Sequence, residues 1–321
     1  MLKTRIFTAV VLLLLFIPAL LVERHEPWRM LTLVLMVLAA WEWGRAIQVQ
    51  AQDPPPQPPS PSPSPESLSV AHPSLMPDES ASWVSAAPSF ATPVLSYALA
   101  AFTALGGGCI WLANGLETLP AWASVLLGLM WSYFFSLLFS HGLVRWARAP
   151  LLFKAVAGWC VLLGTWWSIA VAQGVGSAFL LSILCVVWVA DVSAYFGGKA
   201  LGRHKLAPRL SPGKTWEGVA SALVGVGVLA YGWMEAAAVF HRGEDSLFAV
   251  LWRHGAWTTG LALAVLVAVS VMGDLFESLI KRSSGLKDSS HLLPGHGGVL
   301  DRVDALLPTL PLAVTMLAYL R

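Results

Sequence analysis

Nine long apolar runs constrain this chain more than any other feature. They lie at roughly 6–22, 28–44, 94–113, 119–139, 151–171, 176–198, 216–239, 256–280 and 305–320. A helix of about twenty apolar residues matches the hydrocarbon thickness of a bilayer. The fold class expected is therefore all-α, a polytopic integral membrane protein with about nine transmembrane helices. Composition agrees: 56% of the 321 residues are hydrophobic and only 12% are charged, which a soluble domain does not show. Sixteen tryptophans suit a protein with many lipid–water boundaries. The first run follows Lys3 and Arg5 in the manner of a signal peptide. No small-x-small cleavage site follows, only Val22-Glu23-Arg24, so a retained helix is expected, with Pro18 as a kink site.

Residues 48–93 are different material. They hold twelve of the 21 prolines and ten serines, without a single Lys or Arg. Such a stretch cannot bury enough apolar surface to fold and reads as a stiff, extended linker. Three domains are expected: N-terminal transmembrane helices over 1–47, a Pro/Ser-rich disordered linker over 48–93, and a membrane catalytic domain over 94–321. Cys109, Cys160 and Cys185 lie in apolar runs without a CxxC pair, so neither a disulfide framework nor a zinc site is expected.

Lys and Arg fix the orientation. With nine spans, the amino terminus and the loops after spans 2, 4, 6 and 8 carry fifteen basic residues, against five on the other side. The positive-inside rule places the first set in the cytoplasm. The polar loops after spans 6 and 8 then face the cytosol together.

The chemistry-bearing residues gather around those two loops. Asp191 lies near the end of span 6, where an unpaired charge is expensive; it is a site residue or a structural partner for a cation of the next loop. That loop carries Lys199, Arg203, His204, Lys205, Arg209 and Lys214 with no acid before Glu217. Its Ser211-Pro-Gly-Lys-Thr215 is not a P-loop, because Pro208 stands where a glycine is needed. It reads as a Gly-Lys-Thr turn whose free amides at a helix start, with Lys214, can hold a phosphate. Asp274, Glu277, Ser278 and Lys281 fall three or four apart, one polar stripe on a helix, with a plain Glu277–Lys281 salt bridge as the alternative. Asp301 and Asp304 open span 9, as metal ligands or as caps, with Asp301 at the N-cap and Asp304 in the first turn. His291 and His296 lack a cysteine partner for zinc, so His296 is expected to line the site or bond a phosphate.

Over the 27 residues from Ser278 to Asp304, the chain reads Ser278-Leu-Ile-Lys281-Arg282, four residues, Lys287-Asp288, then Pro294-Gly-His296-Gly297-Gly298-Val-Leu-Asp301-Arg302-Val-Asp304. This resembles the signature of the phosphatidate cytidylyltransferases (CDP-diacylglycerol synthases) at every fixed position. Weaker likeness reaches back to about Trp188: Ser211–Thr215 is similar to a second motif of that family, and Asp191 to a third. There Val192 and Ser193 replace the commoner Ser/Thr-Gly, a departure that puts side chains where the family keeps a bare backbone beside Asp191.

The resemblance implies conversion of CTP and phosphatidate to CDP-diacylglycerol and pyrophosphate, with Mg²⁺ as cofactor. Carried onto this chain, the metal ligands are Asp274 and Asp301, supported by Asp191, Asp288 and Asp304. Lys281, Arg282, Lys287, His296 and Arg302 are the expected catalytic group. Ser211, Lys214, Thr215, Ser278, Gly297 and Gly298 are the expected substrate-binding group. In-line attack of one phosphate on another needs neutralised charge above all, which such residues supply. The partners expected are CTP, phosphatidic acid and membrane lipid, with a homodimer left open and no nucleic acid. The expected place is the cytoplasmic (inner) membrane, with the site facing the cytosol. A CTP-dependent polyprenol or lipid kinase, and a transporter using intramembrane carboxylates, are the rival readings.

Overall fold

The computed structural model describes residues 2–22, 24–52, 94–113, 115–139, 142–240 and 245–320. Each of the nine apolar runs folds as a helix: α1 (Leu2–Leu21), α2 (Glu26–Gln52), α3 (Val94–Leu112), α4 (Ala121–Phe139), α6 (Leu151–Val175), α7 (Ser177–Leu201), α8 (Trp216–Phe240), α10 (Ala256–Ser283) and α12 (Leu306–Leu320), the last preceded by a short α11 (Leu300–Val303). Short α5 (Gly142–Arg148) and α9 (Leu247–Trp252) join them. From α2 onward, eight helical segments among the described residues are long and apolar enough to cross a membrane, with Leu300–Leu320 counted as one. The chain is thus an all-α polytopic membrane protein.

Two boundaries differ from the sequence reading. Helix α2 continues through Gln52, so residues 48–52 are helical rather than linker, and 53–93 lie outside the described residues. Hydropathy misses these last turns because they are polar, but Ala46, Gln48, Gln50 and Ala51 are acceptable helix formers, and Pro54 disfavours helix only from Asp53 onward. The second difference is the Ser211–Thr215 turn, which is a strand. β2 (Ser211–Thr215) pairs antiparallel with β1 (Lys205–Ala207) in a two-stranded hairpin between α7 and α8, with an irregular register.

Aromatic side chains tie four helices together below the charged loops. Phe276 of α10 stacks on Phe134 of α4 with centroids 4.3 Å apart, and meets Trp146 of α5 edge-on at 5.4 Å and Trp43 of α2 at 6.2 Å. All four rings are essentially buried, so each combines a large apolar area with a directional ring contact. Trp43 also donates from Nε1 to the Lys154 carbonyl of α6 at 3.0 Å. This knot fixes Glu42 and Glu277, the neighbours of Trp43 and Phe276.

Small residues bring other helices into backbone contact, as lipid-embedded helices without a solvent-driven force require. A Cβ built at Gly273 of α10 would stand 2.6 Å from the Asp304 carbonyl and 2.9 Å from Pro308 of α12. Along the α7–α8 pair, one at Gly218 would stand 2.9 Å from the Ala194 carbonyl, and Gly225 accepts Ser193 at its bare face. Close approach beside Asp191 is therefore kept by Ser193 and Gly225, despite the departure at 192–193. Outward, α8 exposes Leu223, Val224, Val228, Tyr231, Val239 and Phe240, a lipid-facing surface.

Candidate functional site

At 28 residues, α10 is about 42 Å long, well beyond a hydrocarbon core of about 30 Å. Its last turns can therefore reach past the hydrocarbon, and Asp274, Glu277, Ser278 and Lys281 lie towards that end, with Glu277 buried against protein. Lys281 Nζ bonds Glu277 at 2.5 Å and Asp301 at 2.7 Å, so the expected helix salt bridge exists and extends to α11. Lys214 of β2 pairs with Asp274. Antiparallel pairing of the hairpin thus carries Lys214 from the end of α7 to the end of α10, sixty residues apart in sequence.

Asp304 stands at the junction of α11 and α12, where its carboxylate accepts from the Ala305 amide at 2.8 Å. The close crossing at Gly273 brings it within electrostatic reach of Asp274 and Glu277. Asp191 interacts with Asp274 and Lys214 in the same way. Asp191, Asp274, Glu277, Asp301 and Asp304 hence form one connected group, threaded by two ammonium groups.

The capping alternative for Asp301 is corrected by the fold: Val299 occupies the N-cap and Asp301 lies inside α11. Its carboxylate instead reaches back across the loop. It accepts from Gly298 N at 2.8 Å, Ser289 N at 3.0 Å and Ser289 Oγ at 3.0 Å, as well as from Lys281. Gly297 turns with φ +82°, and a side chain there would approach Asp301 Oδ2 at 2.8 Å, so glycine serves both backbone and space. The second glycine, Gly298, faces a residue that motif reading overlooked.

That residue is Glu42 of α2, which has no exposed surface. It accepts from Ser289 Oγ at 3.1 Å, Ser290 Oγ, Val299 N at 3.0 Å and Leu300 N at 2.6 Å. An acid inside an apolar run, in Trp41-Glu42-Trp43, was the available signal.

The other expected residues divide. Thr215 caps α8, its Oγ1 accepting from Gly218 N at 3.1 Å. Ser211, Gly213 and Lys214 lie along the hairpin, and Ser278 is half-buried on the charged stripe of α10. Arg302 donates through Nε and Nη2 to the His296 carbonyl at 2.9 and 2.6 Å, closing the loop, while His296 Nδ1 is buried without a protein partner. Arg282, Lys287, Asp288 and His291 are exposed, Asp288 beside the Gly297 turn.

Five carboxylates against two lysines leave a formal excess of negative charge. Among the described residues, no three acidic, histidine or cysteine side chains converge into a ready-made metal cage, since lysines stand between them. The donor chemistry nonetheless fits a hard divalent cation, being all oxygen, and buried Glu277 Oε1 has no hydrogen-bond partner. A cavity of about 450 Å³ beside the hairpin, lined by Leu137, Leu143, Leu206, Leu210 and Leu279, adds an apolar slot near the charged cluster.

Residues 3–320 match the model of the cytidylyltransferase family. The chain is 39% identical over 175 residues to a phosphatidate cytidylyltransferase of Pseudomonas aeruginosa, covering 54% of this chain and 58% of that one. Over 137 residues it is 46% identical to one of Haemophilus influenzae, at 42% and 44% coverage. Over 165 residues it is 37% identical to one of Mycobacterium leprae, at 51% and 48%. The chain spans about half the length of the curated relatives it matches.

Proposed function

The chain belongs to the cytidylyltransferase family, and on that premise we propose that it makes CDP-diacylglycerol and pyrophosphate from CTP and phosphatidate at the cytosolic face of the cytoplasmic membrane. The observation that carries this reading is the lysine-bridged carboxylate group at one end of an apolar bundle, where Lys214 meets Asp274 and Lys281 meets Asp301.

A phosphate oxygen of phosphatidate attacks the α-phosphorus of CTP. A new P–O bond forms as the α–β bridging bond breaks, and its electron pair leaves on pyrophosphate. No side-chain nucleophile is needed, since the lipid phosphate is already an anion. Lys214 and Lys281 neutralise phosphoryl oxygens, with Arg282, Lys287 and Arg302 around them. The buried ring nitrogen of His296 offers a further contact to phosphate. Asp274 and Asp301 would hold Mg²⁺, with Asp191, Asp288 and Asp304 around it. When bound, that ion supplies charge neutralisation at phosphoryl oxygens. The apolar slot at Leu206 and Leu279 suits an acyl chain arriving from the bilayer, which accounts for a nucleotide enzyme built almost wholly of membrane helices.

Purified protein given CTP and phosphatidate tests this. Label at the α-phosphate of CTP is expected in lipid, with pyrophosphate released. Label entering lipid only from the γ-phosphate overturns the reading in favour of a kinase, and label entering from neither favours a transporter.

A further inference from the structure

We infer that Glu42, contributed by α2 far outside the signature stretch, is a positioning residue that clamps the signature loop and so aims Asp301. The inference rests on the reading of Asp301 as a site residue. Glu42 lies nearly 250 residues from the loop, yet its two oxygens receive the Ser290 hydroxyl and the Val299 and Leu300 amides and lie against the Ser289 hydroxyl. Those amides open α11, the helix on which Asp301 sits, so the carboxylate satisfies otherwise open donors at its start. Ser289 Oγ contacts Glu42 Oε2 at 3.1 Å and Asp301 Oδ2 at 3.0 Å, and its single hydrogen serves one of them at a time. The chain of contacts therefore runs Glu42, Ser289, Asp301, Lys281, Glu277, from α2 to the heart of the acidic group.

Two further features fit a clamp. Trp43 is locked in the aromatic knot, so Glu42 projects from a rigid element. Gly298 is bare where Glu42 arrives, since a Cβ there would stand 2.5 Å from Glu42 Oε1. The loop itself has almost no regular structure of its own between Ser284 and Leu300, apart from one isolated bridge from Leu293 to Gly297. A buried full acceptor is what holds such a segment in one arrangement. Groups that orient a ligand in this way typically matter about 10–100-fold in metal affinity or activity.

The test uses the full chain in lipid nanodiscs. Hydrogen exchange of peptides over 286–303 and over α6 is measured beside kcat and KM for CTP, in wild type, Glu42→Gln, Ser289→Ala and the double variant. Glu42→Gln is expected to speed exchange at 286–303 while α6 stays protected. It should lower kcat about 10–100-fold with KM for CTP moved less than about threefold. The double variant is expected to fall no further than the worse single, because both act through one contact chain. Unchanged exchange at 286–303, unchanged kcat, additive losses, or exchange accelerated equally in α6 would each overturn the clamp. If Glu42→Gln fails to insert, Gly298→Ala breaks the same contact from the loop side and is read the same way. Should wild type transfer no label from CTP, the proposed activity fails, while the exchange data still report whether the clamp exists.

Discussion

At Asp301 one carboxylate receives Lys281, the Gly298 and Ser289 amides and the Ser289 hydroxyl, so it cannot swing without breaking several contacts. Asp301→Asn keeps its size but loses its charge and one acceptor. Turnover is expected to fall on the order of a hundredfold or more, since a charge-assisted contact is worth roughly 1.5–3 kcal/mol and several are affected. Label transfer at fixed Mg²⁺ checks this, with size exclusion confirming a folded protein. Chelation with EDTA is expected to stop turnover, and Mg²⁺ to restore it in wild type more fully than in this variant. Lys214→Ala removes the cation facing Asp274 and is expected to lower kcat/KM for CTP by about ten- to a hundredfold. That Glu277, Lys281 and Asp301 gather together was legible because their spacing is local, four apart on one helix or fixed within a 27-residue pattern, whereas Lys214 comes from a separate stretch. Glu42 was not, because nothing in its own surroundings says which distant amides it will meet.

Among elements, the crossing of α10 and α12 at Gly273 decides whether Asp274 and Asp304 share a site. Gly273→Val would drive a side chain into the Asp304 backbone and Pro308, and overpacking of this kind costs typically 1–3 kcal/mol. The expected outcome is a protein that still inserts, melts at lower temperature and has lost most turnover, read by thermal unfolding beside label transfer. Retained activity would show that the crossing tolerates separation. The spans themselves could be read from hydropathy, which reports burial in lipid without help from partners. The hairpin could not. Ser211–Thr215 contains Pro212 and Gly213, poor strand formers, and becomes a strand only because Lys205–Ala207 lies beside it. The short helix α11 was hidden likewise, since the apolar run begins only at Ala305, after the charged Asp301, Arg302 and Asp304.

Across the whole molecule, α2 and α3 pack side by side. Ser96 near the start of α3 bonds Gln48 near the end of α2 at 3.0 Å, so the two helix ends that residues 53–93 join are already neighbours. A connection of a few residues suffices between such helices. Replacing 53–93 with a short Gly/Ser connector is therefore expected to leave label transfer within about twofold, as composition gives that segment no core to contribute. Orientation follows from similar contacts. Lys214 after α7 meets Asp274 near the end of α10, so the hairpin and the signature loop share one end of the bundle. Leu247 in α9 bonds Ser182, near the start of α7, which places the connection between α8 and α10 at the opposite end. The first end carries nine Lys and Arg in its two loops, and positive charge is retained on the cytosolic side. In a chain with Cys109, Cys160 and Cys185 replaced by alanine, a cysteine at Ser283 is expected to react with an impermeant maleimide only when the cytosolic face is open. One at Asp245 is expected to react only from the other side. Both reacting from one side would break the shared topology of loops and site, and with it the proposed supply of CTP from the cytosol.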